Sequence, residues 1–267
     1  MLRARGVTVL EPDAGALASG LAGRGRLPEV DAIIEALERA LAPARDLAGD
    51  RMLITAGPTR EPIDPVRYIS NRSSGKMGYG LAAAALRRGA EVMLISGPTA
   101  LTPPPGAVFV PVQTAEEMRE AVLQHLPSAT VVIKAAAVAD YRAKQAAAAK
   151  IKGKRDLTLE LTPNPDILAE VAARGTGAFI VGFAAETHDV AANARAKLEG
   201  KGIDLLVAND VSQRGIGFDA EENEVLLLDR WGGTRALPRM PKTEVADAIL
   251  SHIVALRAGA PAKKTHA

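Results

Sequence analysis

From residue 51 onward the chain alternates short apolar runs with longer stretches of helical period. The runs Met52 to Ala56, Glu91 to Ser96, Val108 to Val112, Thr130 to Ala135, Ala178 to Phe183 and Asp204 to Ala208 predict strands. Each is hydrophobic almost throughout, as strands covered on both faces should be. Helical periodicity fills the gaps over Lys76 to Arg88, Ala115 to His125, Pro165 to Ala173 and Val190 to Glu199. Alternation of this kind implies right-handed crossovers, so the expected fold class is α/β, a parallel sheet with helices on both faces. A strand Glu224 to Asp229, a turn at Gly232-Gly233 and a closing helix Lys242 to Leu256 end the domain, and the tail 257–267 is expected to be disordered.

The first 50 residues do not fit that rhythm. Val7 to Leu10 predicts one strand, Gly15 to Arg26 a Gly/Ala/Arg-rich loop, and Pro28 opens an apolar-periodic helix to about Leu41. One strand and one helix cannot close a core. The segment 42–50, short and broken by Pro43 and Gly49, predicts a linker. A second break lies at Asp140 to Lys154, a basic segment without clear period, and such a segment is more often a functional flap than a connector.

Composition narrows the function classes. The chain has 33 basic and 31 acidic residues, a balance that excludes bulk electrostatic binding of a polyanion, so any basic site is local. Absence of cysteine excludes disulfides, thiolate metal sites and cysteine nucleophiles. With 3% aromatic residues, stacking platforms for single-stranded nucleic acid are poorly supplied. No apolar run is long enough to span a bilayer, and a soluble cytoplasmic protein without nucleic-acid or membrane partners is expected.

Candidate chemistry centres on Thr55 to Gly80, between the first strand and first helix of the regular region, where open α/β sheets bind ligands. The glycines fail the dinucleotide fingerprint, since Gly75, Gly78 and Gly80 read G-x-x-G-x-G, and they fail the P-loop, since Ser70 replaces its first glycine and Met77 follows Lys76. Spacing alone leaves a packed helix cap and an anion site equally open. Asn71, Arg72, Ser73 and Ser74 add donors at one helix start and favour the anion site. Lys197 and Lys201, four apart beside Gly200 and Gly202, read by themselves as cations at a helix end. Asp140 has the position of a ribose-binding acid or of a turn residue, and Asn164-Pro165-Asp166-Ile167 is ordinary helix-start chemistry. His125 and His188 lack metal-ligand spacing and read as surface residues.

Taken together, several separated motifs resemble one family, the bacterial CTP-dependent phosphopantothenate-cysteine ligase that forms the second half of the bifunctional coenzyme A biosynthesis protein. They are Thr55 to Asp64, Ser70 to Gly78, Ala135 to Tyr141, Lys150-Ile151-Lys152, Asn164 to Ile167, Val181 to Thr187 and Ala208 to Val211. The resemblance implies a Rossmann-like fold over residues 51–256 and joining of 4'-phosphopantothenate to L-cysteine through an acyl-cytidylate, with CTP as co-substrate and Mg2+ or Mn2+. It implies catalytic roles for Asn71 and Lys150. Nucleotide contacts fall on Asp140, Lys150, Asn164, Pro165, Asp166, Ile167, Phe183, Lys197 and Lys201, and substrate contacts on Asn71, Ser73, Ser74 and Gly75. No metal ligand can be assigned. A homodimer is implied, with the basic flap a candidate to reach across the interface.

Residues 1–41 resemble the carboxyl end of the flavin-dependent decarboxylase half, through Ala18-Ser19-Gly20 and Gly23 to Glu29, and the linker completes a first region of residues 1–50. Ser19 stands where that half typically has its catalytic cysteine and the flavin-binding bulk is absent, so no flavin and no decarboxylation are expected on this chain, and a separate decarboxylase chain is left open as a partner. Two rival classes fit less well. A short-chain nicotinamide oxidoreductase needs a tyrosine and lysine four apart, but Gln145 follows Tyr141 at that spacing. A catalytically silent nucleotide-binding protein could dispense with Asn71 and Lys150, and both are present.

Overall fold

The computed structural model describes residues 9–16, 22–30, 32–34, 37, 45–153, 156–186, 189–210 and 220–259. Two compact units result, residues 1–44 and 45–267. In the first, β1 (Asp13–Ala16) pairs antiparallel with β2 (Ala22–Arg26). This corrects the expected loop: pairs such as Gly15 with Gly23 and Ala16 with Ala22 form a ladder without the apolar alternation that announces one. Val9 and Leu10 are not in a strand, and Ala18-Ser19-Gly20 lies outside the described residues. Helix is present at Val30, 32–34 and Leu37, and Leu27, Val30, Ile34 and Leu37 are all exposed.

The second unit is built on an eight-stranded sheet. Its parallel strands are β3 (Arg51–Ala56), β6 (Glu91–Ser96), β7 (Val108–Pro111), β8 (Val131–Lys134), β11 (Phe179–Glu186) and β12 (Leu205–Asp210). An antiparallel pair, β13 (Glu222–Asp229) and β14 (Thr234–Pro241), extends one edge, giving the order β14-β13-β12-β11-β8-β3-β6-β7. The sequence pattern misses β14, whose two prolines an edge strand tolerates because one of its sides needs no N–H donors. β7 departs from the expectation of cover on both faces: Val108 and Phe109 are exposed at the other edge.

Side-chain alternation divides the core into two layers. Met52, Ile54 and Ala56 pack with α1 (Lys76–Arg87) and α5 (Lys242–Gly259), whereas Leu53 faces the layer of α2 (Ala115–His125), α3 (Ile167–Ala173) and α4 (Val190–Lys201). Helices therefore cover both faces, as the pattern predicts. The chain runs outward from β3 to β6 and β7, then returns to β8, β11 and β12. That reversal between β3 and β8 is the switch point at which open α/β sheets form a crevice.

Three shorter features depart from the sequence expectation. The stretch after β3 contains a hairpin, β4 (Arg60–Pro62) with β5 (Tyr68–Ser70), and the irregular basic segment opens with β9 (Tyr141–Ala143) paired to β10 (Leu161–Pro163). Both are three-residue ladders carrying exposed side chains, so neither has a hydrophobic period to detect. Residues 45–50 belong to the main unit, not to a linker. Leu47 is fully buried, Arg88 grips Asp46 through two bonds of 2.6 and 2.8 Å, and Arg257 grips Asp50 at 2.7 and 2.8 Å. Arg257 can do so because α5 continues past Leu256 to Gly259; residues 260–267 lie outside the described residues.

Contact between α1 and β3 is unusually close. A Cβ on Gly78 would sit 2.6 Å from the Ala56 Cβ and 3.1 Å from the Thr55 carbonyl oxygen. Backbone cannot yield as a flexible side chain can, so α1 must shift if anything larger than glycine stands there. Gly78→Ala is expected to lower stability by about 1–3 kcal/mol in urea unfolding, and a change within about 0.5 kcal/mol of wild type would refute this close contact.

Candidate active site

Past the carboxyl ends of β3 and β8 the two chains continue side by side. The Thr55 hydroxyl accepts from the Ala136 N–H at 3.2 Å, and the Thr59 hydroxyl accepts from the Ala139 N–H at 3.0 Å. Backbone bonds from Ala137 N to the Gly57 carbonyl (2.9 Å) and from Thr59 N to the Ala137 carbonyl (3.3 Å) complete the pairing. Two amide side chains attach to this platform: Asn71 donates to the Val138 carbonyl at 3.0 Å and Asn164 to the Ala139 carbonyl at 2.8 Å. Helix α1 then begins after Gly75, whose positive φ of 78° turns the chain and whose lack of a side chain leaves no cap on the first turn. The positive end of the helix suits an anion.

A cavity of about 300 Å³ opens at this point. Its walls include Asn71, Ser73, Ser74 and Gly75 from the helix start, Asp140 after β8, Phe183 on β11, and Lys197 and Lys201 on α4. These sequence-expected site residues are thus brought together. The bland alternative for Lys197 and Lys201, dipole capping alone, does not describe them: one α4 face carries both to the cavity, where Lys197 pairs with Glu186 at 2.7 Å and Lys201 with Asp166 at 3.1 Å.

The other expected residues stand elsewhere. Lys150 is exposed on the flap and does not line the cavity. Asn164 acts from behind, holding Ala139 through its side chain, while its own N–H donates to the Asp140 carbonyl at 2.8 Å. Asp166 caps α3 through a 3.1 Å bond from Ala169 N and reaches the cavity through Lys201. Ile167 is buried in the core of the α2–α3–α4 layer, so its side chain cannot touch a ligand, and Pro165 also lies outside the lining. His125 is half-buried at the end of α2, not a fully exposed surface residue; His188 lies outside the described residues.

Sequence inspection missed Lys134, Asn209, Asn223 and Lys242, and as a cavity residue Lys76; all line the same space. Lys134 ends the buried strand Val-Val-Ile-Lys at the sheet's carboxyl edge, and a charge closing an apolar run there was the available signal. Burial pushes its ammonium down to about 8, reinforced by the charge of Lys201 and opposed by Asp166 and Asp140. Among the described residues, Lys76, Lys197, Lys201 and Lys242 join it in the lining, five lysines against the one lining carboxylate of Asp140. Among the described residues no three His, Asp or Glu side chains cluster as metal ligands.

An anion in this cavity would favour the charged form of Lys134, so binding takes up a proton near pH 8. Affinity for tripolyphosphate, measured calorimetrically, is expected to fall between pH 7 and 9 more steeply in wild type than in Lys134→Met; equal slopes would remove Lys134 from the site. The effect on stability has the opposite dependence. A lysine held below its unfolded value costs stability while protonated, and that cost is relieved as pH rises from about 8 towards 10.5. Lys134→Met is accordingly expected to raise the melting temperature at pH 7 and to lose that advantage near the upper value.

Comparison with known proteins identifies relatives of this chain. The chain is 48% identical over 256 residues to the coenzyme A biosynthesis bifunctional protein CoaBC of Bacillus subtilis, covering 94% of this chain and 63% of that protein. To the protein of the same name from Escherichia coli K12 it is 45% identical over 260 residues, covering 95% and 64%. The chain therefore spans just under two thirds of the length of these relatives. A solved C-terminal domain of a CoaBC protein superposes with a TM-score of 0.70 at 43% identity, covering 81% of this chain and all of the domain. A DNA/pantothenate metabolism flavoprotein from Streptococcus pneumoniae superposes with a TM-score of 0.68 at 26% identity, covering 78% and 99%. Residues 47–256 match the model of one family, and the chain belongs to it: the DNA/pantothenate metabolism flavoprotein C-terminal domain family.

Proposed function

We propose that the protein is a phosphopantothenate-cysteine ligase of coenzyme A biosynthesis that uses CTP. The observation carrying this reading is the lysine-rich cavity at the switch point, in which Asn71 and the start of α1 share one space with Asp140, Phe183, Lys197 and Lys201. Its location and charge suit a nucleoside triphosphate, and the two relatives are named for coenzyme A biosynthesis.

In the first step the carboxylate of 4'-phosphopantothenate attacks the α-phosphorus of CTP, the α–β phosphoanhydride bond breaks and pyrophosphate leaves, giving an acyl-cytidylate. In the second, the amine of cysteine attacks the acyl carbon, CMP leaves and the amine proton is lost to solvent or a base. The first step brings anion against anion, so the lysines lower its barrier by neutralising charge that accumulates on the phosphates. Lys197 and Lys201 hold the phosphates, Asp140 the ribose, and Phe183 one wall of the nucleotide pocket. Asn164 and Asp166 support that pocket from behind through Ala139 and Lys201. Asn71 orients the acyl-cytidylate, since an amide can bond a carbonyl oxygen without adding charge. Magnesium would supply further neutralisation; it binds largely through substrate phosphates and water, so it needs no dedicated cage. The enzyme acts as a homodimer in the cytoplasm, and the first unit is the counterpart of the decarboxylase terminus.

Purified protein supplied with 4'-phosphopantothenate, cysteine, CTP and magnesium is expected to release pyrophosphate and form the amide. No turnover with CTP or ATP would sink the ligase reading, and turnover with ATP alone would sink the nucleotide choice. Lys150→Ala should abolish acyl-cytidylate formation. Asn71→Asp, which sets a negative charge beside the intermediate, should slow amide formation most, by about tenfold to a thousandfold; an unchanged amide yield would reject that role.

A further inference from the structure

Lys150 is exposed on a flap, yet the flap is not loose beside it. Asp64 sits at the tip of the β4–β5 hairpin and is 3% exposed, and its carboxylate is shared between two tasks. Oδ1 accepts from the Val66 and Arg67 N–H groups, both at 2.8 Å, and so closes the hairpin turn. Oδ2 accepts from the N–H of Ile151 at 3.1 Å, 87 residues away in sequence and next to Lys150. The Ile151 carbonyl accepts from the Arg67 guanidinium at 3.2 Å, which also lies 3.4 Å from Oδ2. A second tie holds the other side of the lysine, where the Ala147 N–H donates to the Ile63 carbonyl at 2.9 Å. Lys150 is therefore rooted in a backbone clamped at residues 147 and 151.

We infer that Asp64 is a positioning residue, a latch that fixes the flap backbone beside Lys150 and thereby sets where that lysine can reach; this rests on the role proposed above for Lys150. Entropy is the physical reason for such a device. A lysine carried on an unrestrained segment would lose backbone and side-chain freedom each time it met the nucleotide, whereas clamped flanks leave only side-chain torsions to order. Asp64 is equipped for the task by its charge. Burial works against ionisation, but the N–H groups of Val66, Ile151 and Arg67 and the Arg67 guanidinium outweigh it and hold the carboxyl below its ordinary range, so it is an acceptor at every working pH.

Asp64→Asn separates the two tasks. The amide keeps Oδ1 for the turn but presents an NH₂ group to the Ile151 N–H, donor against donor, so the latch breaks while the turn is retained. Ile151→Pro removes the same bond from the flap side and leaves Asp64 intact, which covers the case of an Asp64→Asn protein that does not fold. In hydrogen exchange on the full-length free protein, the Ile151 amide of Asp64→Asn should exchange at least about tenfold faster than in wild type; unchanged protection overturns the latch. In the ligase assay either variant should lower kcat for pyrophosphate release by about tenfold or more, with KM for CTP within about twofold. An unchanged kcat, or a change confined to KM, overturns the assignment by showing that Asp64 acts elsewhere. Wild-type protein without turnover sinks the ligase reading and with it the catalytic purpose, while the exchange result still decides whether the latch exists.

Discussion

Two threonine hydroxyls carry the architecture of the site. Without the bonds from Ala136 N to Thr55 and from Ala139 N to Thr59, the segment after β8 would keep only the backbone pairing made by Ala135 and Ala137, and the N–H groups of Ala136 and Ala139 would be unsatisfied. Held in place, it offers the Val138 carbonyl to Asn71 and the Ala139 carbonyl to Asn164, so one strand extension fixes both the helix-start wall and the entrance to α3. A side-chain hydroxyl is needed because the parallel ladder is running out there and regular strand bonds no longer reach every N–H. The motif Thr-Ala-Gly-Pro-Thr is thus an instruction for pairing two loops, and the glycine and proline within it bend the chain away from a regular strand.

How much of this was legible in the sequence follows from burial. β3, β6, β8, β11 and β12 are covered on both faces and declare themselves as apolar runs; their limits in the pattern agree with the structure to within about three residues. The β4–β5 hairpin, the β9–β10 ladder and β14 carry prolines and exposed side chains, and nothing in their composition separates them from loops. The same logic governs the site. Asn71, Asp140, Phe183, Lys197 and Lys201 were found by motif resemblance, because each residue type alone has an ordinary structural role at its position. Ile167 shows the limit of carrying a contact over by residue number: a motif marks a stretch of backbone near a ligand, and this side chain points into the core instead.

The electrostatics of the cavity reconcile a cationic site with a stable fold. Lys197 and Lys201 rest on Glu186 and Asp166, carboxylates set just outside the lining, so the cavity keeps its positive wall without five uncompensated ammonium groups. Lys134 is the exception, and burial beside Lys201 holds its proton loosely. An anion beside such a group would favour its charged form, which ties part of the anion affinity to the protonation of Lys134.

Reach is the remaining constraint. The lysines that line the cavity sit on helices and strands, whereas Lys150 sits on a segment bonded to the hairpin arm at Ile63 and Asp64 and paired to β10 through residues 141–143. The lining lysines are held where bound phosphates would meet them, whereas Lys150 is exposed and stands outside the lining. The clamp at residues 147 and 151 fixes where the root of that side chain lies, so only its own torsions remain to be ordered.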